Sequence, residues 1–324
     1  MTAAVTPLER LGGALGRTPT RRMLVIANPY ATTMSDRLKH LVVYALQGRY
    51  EVEAVDTQRR GHAIELCREA AGEGYDVVVA FGGDGTVNEV ANGLAGSQTP
   101  MALLPGGATN VYCRMLGVPN DVVDATEHLL RLADDFAPRR VDLGSVNGRA
   151  FTFAAGVGLD ASVVHRVDQH PHLKARLGAW YFSQKAVTTF LRSYVVRPPR
   201  LVATMGATTV TGVSAFVQNA RPYTYFRQRP VDLVAGPSLT SGDMGAAVLG
   251  RATPFDLPTV TWRALSGEPR MAGHRRVHAF GGVRDLVIRS ADDRPLPLQV
   301  DGDHIGDHAE AVFRVRPGAL RLLA

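Results

Sequence analysis

Apolar runs and helix-like segments alternate over the first 140 residues. The apolar runs are MLVIAN (23–28), YEVEAVDT (50–57), YDVVVAFG (75–82) and TPMALLPGG (99–107). The second run alternates as a half-exposed strand does, and the others are nearly continuous, which is typical of strands buried in a parallel sheet. Helical spacing follows at about 34–48, 61–74, 86–95 and from about 108. This alternation predicts a parallel-sheet α/β domain wrapped by helices.

The pattern changes near residue 138. Two strand-like runs flank Asn147-Gly148, a dipeptide that favours a tight hairpin. One helix-like segment follows at about 174–192, and short apolar runs with Pro/Gly turns continue to about residue 303. The pattern therefore predicts a mainly antiparallel β domain. The final AVFRVRPGALRLLA (311–324) is predicted to form two more short strands.

Composition places the chain among globular proteins. Its 324 residues are 45% hydrophobic and 20% charged, and the formal net charge is +6. A basic balance favours anionic partners, although an arginine-rich coding bias explains the same excess. The two cysteines form no disulfide framework or zinc spacing, and no targeting segment or membrane-length apolar run is visible. We expect a cytoplasmic protein that visits the inner face of the membrane transiently.

Glycines cluster where the third run meets its helix, at Gly82-Gly83-Asp84-Gly85-Thr86. Glycine allows close backbone approach, and N–H groups at the mouth of a helix attract phosphate. A carboxylate in such a loop repels phosphate unless a metal ion or a proton-donating substrate lies beside it. The alternative is a simple strand-to-helix turn. Two further loops, Asn28-Pro29 and Gly106 to Asn110, are expected at the same edge of the sheet.

The segment GGDGTVNEV (82–90) resembles the nucleotide-binding signature of the diacylglycerol kinase catalytic domain family. This family includes bacterial lipid kinases and the sphingosine and ceramide kinases. Other segments resemble further family motifs in the same order, from about residue 23 to 320. They are Asn28-Pro29, Thr57, LLPGGATN (103–110), FTFAAGVGLDASV (151–163), KARLGAWYFSQKAVTTF (174–190) and LQVDGDHIG (298–306).

The resemblance implies an amino-terminal domain related to the phosphofructokinase and NAD kinase folds, followed by a β-sandwich. It also implies ATP in the cleft between them, Mg²⁺, and transfer of the γ-phosphoryl group to a lipid hydroxyl. Diacylglycerol is the default acceptor, while sphingoid bases and other lipids stay open. The expected division is a flexible tail (1–22), a nucleotide-binding domain (23–138), a lipid domain (139–303) and carboxyl-terminal strands of unassigned domain (304–324).

Site residues follow from these motifs. The residues expected to bind nucleotide are Asn28, Pro29, Thr32, Thr57, Gly82, Gly83, Asp84, Gly85, Thr86, Asn88, Glu89, Gly107, Thr109 and Asn110. Asp303 is the candidate general base and Asp301 its partner, because an alcohol needs a carboxylate to take its proton near neutral pH. Asp84 is expected to hold Mg²⁺ through water or to steer the acceptor hydroxyl. Asp301 is a second candidate metal ligand, and Asp160 is expected to add to the acidic cluster.

Three departures from the family pattern favour functions other than lipid phosphorylation. The second loop reads Gly107-Ala108-Thr109-Asn110-Val111 where the family has Gly-Thr-x-Asn-Asp. Asp303 replaces the glutamate of the late loop, and Asp243 is the single acid where many bacterial members bind a structural Mg²⁺. The alternatives are a non-catalytic nucleotide- or lipid-binding protein and a small-molecule kinase like NAD kinase. The segment DGDHIGDH (301–308) also offers oxygen and imidazole ligands to a transition metal.

Arginine and aromatic residues occur together between residues 192 and 229. They are Arg192, Tyr194, Arg197, Arg200, Arg221, Tyr223, Tyr225, Phe226, Arg227 and Arg229. This mixture is typical of a surface that rests on an anionic bilayer, and a solvated basic face is the alternative. The expected partners are a lipid substrate and the peripheral membrane surface, without nucleic acid. A homodimer stays open.

Overall fold

The computed structural model describes residues 21–158, 200–226, 228–251, 259, 262–263, 270–292 and 294–324. The tail at 1–20, the helix expected at 174–192, Asp160, Arg192, Tyr194, Arg197 and Arg227 therefore lie outside the described residues. None of the helices within the described ranges is long and apolar enough to cross a membrane.

The amino-terminal part alternates strands and helices, as the apolar pattern predicts. Its strands are β1 (Arg22–Ala27), β2 (Glu51–Asp56), β3 (Val77–Gly82) and β4 (Met101–Pro105). Its helices are α1 (Asp36–Leu46), α2 (His62–Gly72), α3 (Asp84–Leu94), α4 (Val111–Met115) and α5 (Val122–Leu132). The side chains of Ser35 and Asp121 accept backbone N–H bonds at the starts of α1 and α5, which fixes where these helices begin.

The remaining elements are mostly strands. They are β5 (Arg139–Val146), β6 (Arg149–Phe151), β7 (Ala154–Gly158), β8 (Leu201–Met205), β9 (Thr208–Gly212), β10 (Ser214–Gln218), β11 (Thr224–Phe226), β12 (Arg229–Val231), β13 (Met244–Leu249), β14 (Val277–Val283), β15 (Asp285–Ser290), β16 (Leu296–Val300), β17 (Asp303–His308) and β18 (Glu310–Leu322). A 3-10 turn covers Arg270–Gly273. The expected hairpin joins β5 and β6, with both Asn147 and Gly148 at positive φ.

Within the described residues, two sheets account for most strands. The first has ten strands; its main order is β2-β1-β3-β4-β18-β15-β8-β9, with β5 and β6 added through β18. Strands β1 to β4 pair in parallel, whereas β18 pairs antiparallel with β5 and β15. The second sheet has six antiparallel strands in the order β14-β13-β10-β7-β16-β17. The predicted fold class, a parallel α/β part followed by a mainly antiparallel β part, is confirmed.

The buried apolar residues form two clusters. The first surrounds the parallel strands and includes Leu320 and Leu322 of β18. The second joins residues of both sheets, such as Phe313 of the ten-stranded sheet and Leu298 of the six-stranded sheet. This packing of one sheet on the other makes the antiparallel part a sandwich.

The prediction of two short strands at the carboxyl end is wrong. Residues Glu310–Leu322 form a single strand, with a register shift between Arg316 and Leu320. Pro317 and Gly318 lie in this shift, and Gly318 has a φ of +57°. The irregularity is a bulge within one strand rather than a turn between two, because Leu320 to Leu322 continue the pairing with β5.

Candidate active site

The three predicted loops meet at the carboxyl ends of the parallel strands. The N–H of Asn28, after β1, donates to the carbonyl of Phe81 in β3 at 3.0 Å. Gly106, after β4, donates to the carbonyl of Gly82 at 2.8 Å. The N–H of Thr57, after β2, donates to Ala27 at 2.8 Å. The expectation that these loops share one edge of the sheet is confirmed.

Bare backbone is required where the two glycine loops touch. A Cβ on Gly106 would lie 2.9 Å from the Cα of Gly82, and one on Gly107 would lie 2.7 Å from the Cα of Gly83. Both distances are shorter than a Cβ tolerates, and the opposing atoms are backbone that cannot swing away. The glycines therefore hold the loops after β3 and β4 in direct contact.

The first turn of α3 projects from this contact. Its N-cap is Gly83, in extended conformation and without a side-chain capping bond. The backbone N–H groups of its first turn are therefore suited to bind an anion, and the helix dipole attracts negative charge to the same place. Asn28 lies across from this turn, and its amide donates to the Thr86 hydroxyl at 3.3 Å. Pro29 and Thr32 are exposed beside it. Bare backbone and an uncapped helix start fit the phosphates of a nucleotide.

Asp84 is the first residue of α3, and it also caps α4. Its two carboxylate oxygens accept from the N–H groups of Val111 and Tyr112 at 3.1 and 3.2 Å. Burial raises the pKa of the Asp84 carboxyl to about 6, because removal from water disfavours the charge. The two N–H donors oppose this rise, and the charges of Asp301 and Asp303 add to it.

The altered second loop is closed by Asn110. This residue has a φ of +46°, its Oδ1 accepts from the N–H of Gly107 at 2.8 Å, and its amide donates to the Gly107 carbonyl at 2.8 Å. Asn120 accepts a further bond from the same amide at 2.9 Å. Asn110 thus shapes the loop, while the Thr109 side chain is exposed at its tip.

Asp301 and Asp303 lie on the turn between β16 and β17. Asp301 is 4% exposed, and both it and Gly302 have positive φ, so the chain reverses tightly. Burial raises the pKa of Asp301, and hydrogen bonds from surrounding N–H groups oppose that rise. The Asp303 carboxylate reaches the glycine loop: its Oδ2 lies 2.9 Å from the position that a Cβ on Gly85 would occupy. The turn thus brings a carboxylate beside the glycine loop.

Glu89 and Asn88 bond to protein groups instead of facing the open side of the loop. The Glu89 carboxylate accepts from the N–H groups of Gly61 and Ala63 at 2.7 and 3.2 Å, and so caps the start of α2. Asn88 is 1% exposed and donates to Asp301 at 2.7 Å.

Arg60 was missed by the sequence reasoning. Its Nη2 lies 3.7 Å from the Asp303 Oδ2, and its side chain is 69% exposed. Its signal in the sequence is its position just after β2, at the edge where the other loops meet.

Metal ligation by protein side chains alone has no support in the described parts of the chain, where no three His, Cys, Asp or Glu side chains gather. In the segment read as a transition-metal site, His304 faces Asp307 at 3.7 Å. Asp243 accepts a hydrogen bond from Ser241 at 2.6 Å.

Asp84 and Asp303 present oxygen donors near the glycine loop. Mg²⁺ commonly binds through one or two carboxylates, waters and substrate phosphates, so these residues fit it.

Comparisons with known proteins point to one family. Residues 22–146 match the sequence profile of the diacylglycerol kinase catalytic domain. The chain is 33% identical over 181 residues to a diacylglycerol kinase of Bacillus subtilis (strain 168), covering 53% of this chain and 57% of the relative. A diacylglycerol kinase of Staphylococcus aureus (strain bovine RF122 / ET3-1) is 34% identical over 143 residues, 42% of this chain and 44% of its own. The matched part thus spans about half the length of these relatives.

Solved structures share the fold over nearly the whole chain. A crystal structure of a proposed diacylglycerol kinase from Bacillus anthracis str. Sterne superposes with a TM-score of 0.73 at 22% identity. It covers 95% of this chain and 98% of its own. A diacylglycerol kinase of the same strain gives a TM-score of 0.68 at 18% identity, with the same coverage. At these identities the likeness establishes the architecture alone.

Proposed function

We propose that this chain, whose residues 22–146 belong to the diacylglycerol kinase catalytic domain family, is a lipid kinase that uses ATP to phosphorylate a lipid hydroxyl. Diacylglycerol is the proposed acceptor, since the matched relatives are named for it. The observation that carries the proposal is the position of Asp303, whose carboxylate contacts Gly85 of the glycine loop. Phosphoryl transfer requires a phosphate-binding backbone and a carboxylate near the reacting atoms, and this arrangement supports that reading.

Each residue has a role that follows from its surroundings. The N–H groups of the first turn of α3 bind phosphate oxygens, and Asn28 fixes the Thr86 hydroxyl beside them. Asp303, with its side chain 30% exposed, accepts the proton of the lipid hydroxyl. Asp84 would hold Mg²⁺ through water, and the ion would neutralise charge on the transferring phosphoryl group. Thr32, Thr57 and Thr109 line the same edge and are proposed nucleotide contacts.

The test is a phosphorylation assay with labelled ATP and separate acceptors. Diacylglycerol, a sphingoid base, other glycerol lipids and NAD are supplied one at a time, and products are identified by mass spectrometry. We expect phosphate on diacylglycerol and none on NAD. Loss of the base in Asp303→Asn should lower kcat by about 10²-fold or more with little change in ATP affinity.

The matched control is Asp307→Asn on the same strand, where the carboxylate is 56% exposed and faces His304. It should keep wild-type turnover. Wild-type rates in both Asp303→Asn and Asp84→Asn would contradict the assignment. ATP binding without turnover on any acceptor would favour the non-catalytic binder.

Membrane contact is part of the same proposal, because the acceptor resides in a bilayer. Arg229 is exposed, while Arg221 is paired with Asp232 at 2.7 Å. We expect a cytoplasmic protein that binds anionic vesicles in flotation experiments, less strongly as salt rises. Equal flotation with neutral and anionic vesicles would contradict an electrostatic contact.

A further inference from the structure

Hydrogen-bond donors of the protein surround the carboxylate of Asp301. It accepts from the N–H groups of Thr152, Phe153 and Ala154 and from the Thr152 hydroxyl, at 2.7 to 3.1 Å. The amide of Asn88 donates a fifth bond at 2.7 Å. A carboxylate offers about four lone-pair directions, so these donors use its capacity. A metal ion could bind Asp301 only by displacing bonds that the buried strand ends need.

Asn88 is held in one orientation. Its amide nitrogen donates to Asp301 and to the Ala150 carbonyl, at 2.7 and 3.0 Å. Its Oδ1 accepts from Arg149 at 2.6 Å and from Asn92 at 3.1 Å. Rotating the amide would put oxygen against oxygen at Asp301. Asn88 therefore joins α3 to the turn that carries Asp301, although 213 positions separate the two residues.

The helix touches this turn in two places. Asn88 bonds to Asp301, and Gly85, one helical turn earlier, contacts the carboxylate of Asp303. Between the two acids, Gly302 donates to Oε1 of Gln299 at 2.9 Å, which closes the turn. The bond between Asn88 and Asp301 therefore ties the turn that carries Asp303 to the helix that begins at the glycine loop.

We propose that Asn88 is a positioning residue that acts through Asp301 to hold Asp303 against the glycine loop, and that Asp301 does not bind metal. This inference rests on the proposed function, since it assigns Asp303 the chemistry described above. It gives Asn88 and Asp301 roles that differ from the nucleotide and metal contacts expected from the sequence.

Asn92 provides a matched control. Its side chain accepts from the Ala150 N–H and donates to the Ala150 carbonyl, both at 2.9 Å. Both asparagines thus dock α3 on β6, but only Asn88 also reaches Asp301. Asn88→Ala and Asn92→Ala should lower the melting temperature by similar amounts. Asn88→Ala alone should lower kcat, by about 10²-fold, as expected for a base displaced by about 1 Å, with the KM for ATP unchanged.

Equal kcat losses in the two variants would overturn the proposal, as would a KM for ATP that rises in step with the loss of kcat. If Asn88→Ala does not fold, the isosteric Asn88→Asp serves, because it places carboxylate against carboxylate. Its crystal structure needs no lipid turnover: we expect the Asp303 carboxylate to move away from Gly85. An unmoved Asp303 overturns the inference, whereas a moved Asp303 in a protein without lipid kinase activity overturns only the proposed function.

Discussion

Asp84 and Asp303 carry the same side chain in different surroundings. Asp84 uses both oxygens to cap α4, while Asp303, with its side chain 30% exposed, faces Arg60 at 3.7 Å. A carboxylate with bonds to backbone N–H groups holds the site together, and one that is open on one side can exchange a proton with a substrate. Asp84 therefore joins the cap of α4 to its proposed place beside Mg²⁺, whereas Asp303 is the proposed base.

Gly85→Ala tests the contact between the glycine loop and Asp303. The added methyl group would lie 2.9 Å from Asp303 Oδ2, and the carboxylate, as the end of a side chain, would swing away. We expect kcat to fall by about 10²-fold while the melting temperature barely changes. Gly72→Ala is the control, because nothing lies within 4 Å of its new methyl group. Steady-state kinetics that show equal rates for both variants would contradict this role of Gly85.

The raised pKa of Asp84 predicts a pH-dependent stability. The pKa of about 6 in the fold compares with 3.8 for an ordinary aspartate carboxyl, so the folded state binds more protons between these values. The free energy of unfolding should therefore fall as pH rises from about 4 to 6 and stay lower at 7, by about 3 kcal/mol in total. Asp84→Asn does not titrate and should lack this component.

Urea unfolding of wild type and Asp84→Asn from pH 4 to 7 measures the difference. Val123→Ala is the control, because this side chain is 66% exposed and carries no titrating group. Its pH profile should run parallel to that of wild type. A parallel profile for Asp84→Asn would show that burial does not shift this carboxyl.

At the scale of elements, α3 connects the parts of the site. Its first turn presents the glycine loop, its second carries Asn88 toward the β16–β17 turn, and Glu89 caps α2. Gly93 packs so closely on α2 that a Cβ would lie 2.4 Å from the Cys67 Cβ. The helix α3 therefore contacts the glycine loop, the start of α2 next to Arg60, and the turn that carries Asp301 and Asp303.

Glu89→Ala tests this connection. The change removes the carboxylate that accepts from Gly61 and Ala63, leaving the start of α2 uncapped. Loss of a helix cap lowers the free energy of unfolding by about 1–2 kcal/mol. Glu69→Ala, at an exposed position on α2, should change it far less. Chemical denaturation checks both values, and equal values would argue against the cap.

At the scale of the whole molecule, β18 unites the two apolar clusters. Its end pairs in parallel with β4 at Leu322, while its earlier residues pair with β5 and β15. Phe313 packs in the sandwich cluster and Leu322 in the cluster around the parallel strands. The carboxyl-terminal strand thus completes the sheet that bears the glycine loops.

Leu322→Ala should destabilise the parallel α/β part and the antiparallel β part together. Leu322 is fully buried, and truncating such a leucine costs about 2–5 kcal/mol of unfolding free energy. We expect the loss of ATP binding and the loss of β-sheet circular dichroism to coincide during denaturation. Val123→Ala, at a side chain that is 66% exposed, is the control. Separate transitions would mean that the strand does not couple the two clusters.

The sequence determined what depends on neighbours within a few residues. Continuous apolar runs gave β1, β3 and β4, helical spacing gave α1 to α3, and Asn147-Gly148 gave the β5–β6 hairpin. The glycines could be recognised in the sequence as positions without a side chain. Because the carboxyl ends of parallel strands share one edge of the sheet, the loops that contain these glycines were expected to lie together. Local periodicity and turn chemistry do not require knowledge of distant partners.

Tertiary structure decided which distant residues meet. The bulge at Pro317 and Gly318 reads locally as a turn, yet pairing with β5 on both sides keeps β18 a single strand. The bond between Asn88 and Asp301 and the approach of Arg60 to Asp303 join segments that lie far apart along the chain. Strand order and packing determine such contacts. They cannot be read from a short segment, because the interaction forms only between residues that are far apart in the sequence. The residue types therefore revealed the glycine loop, and only the fold placed the carboxylate of Asp303 beside it.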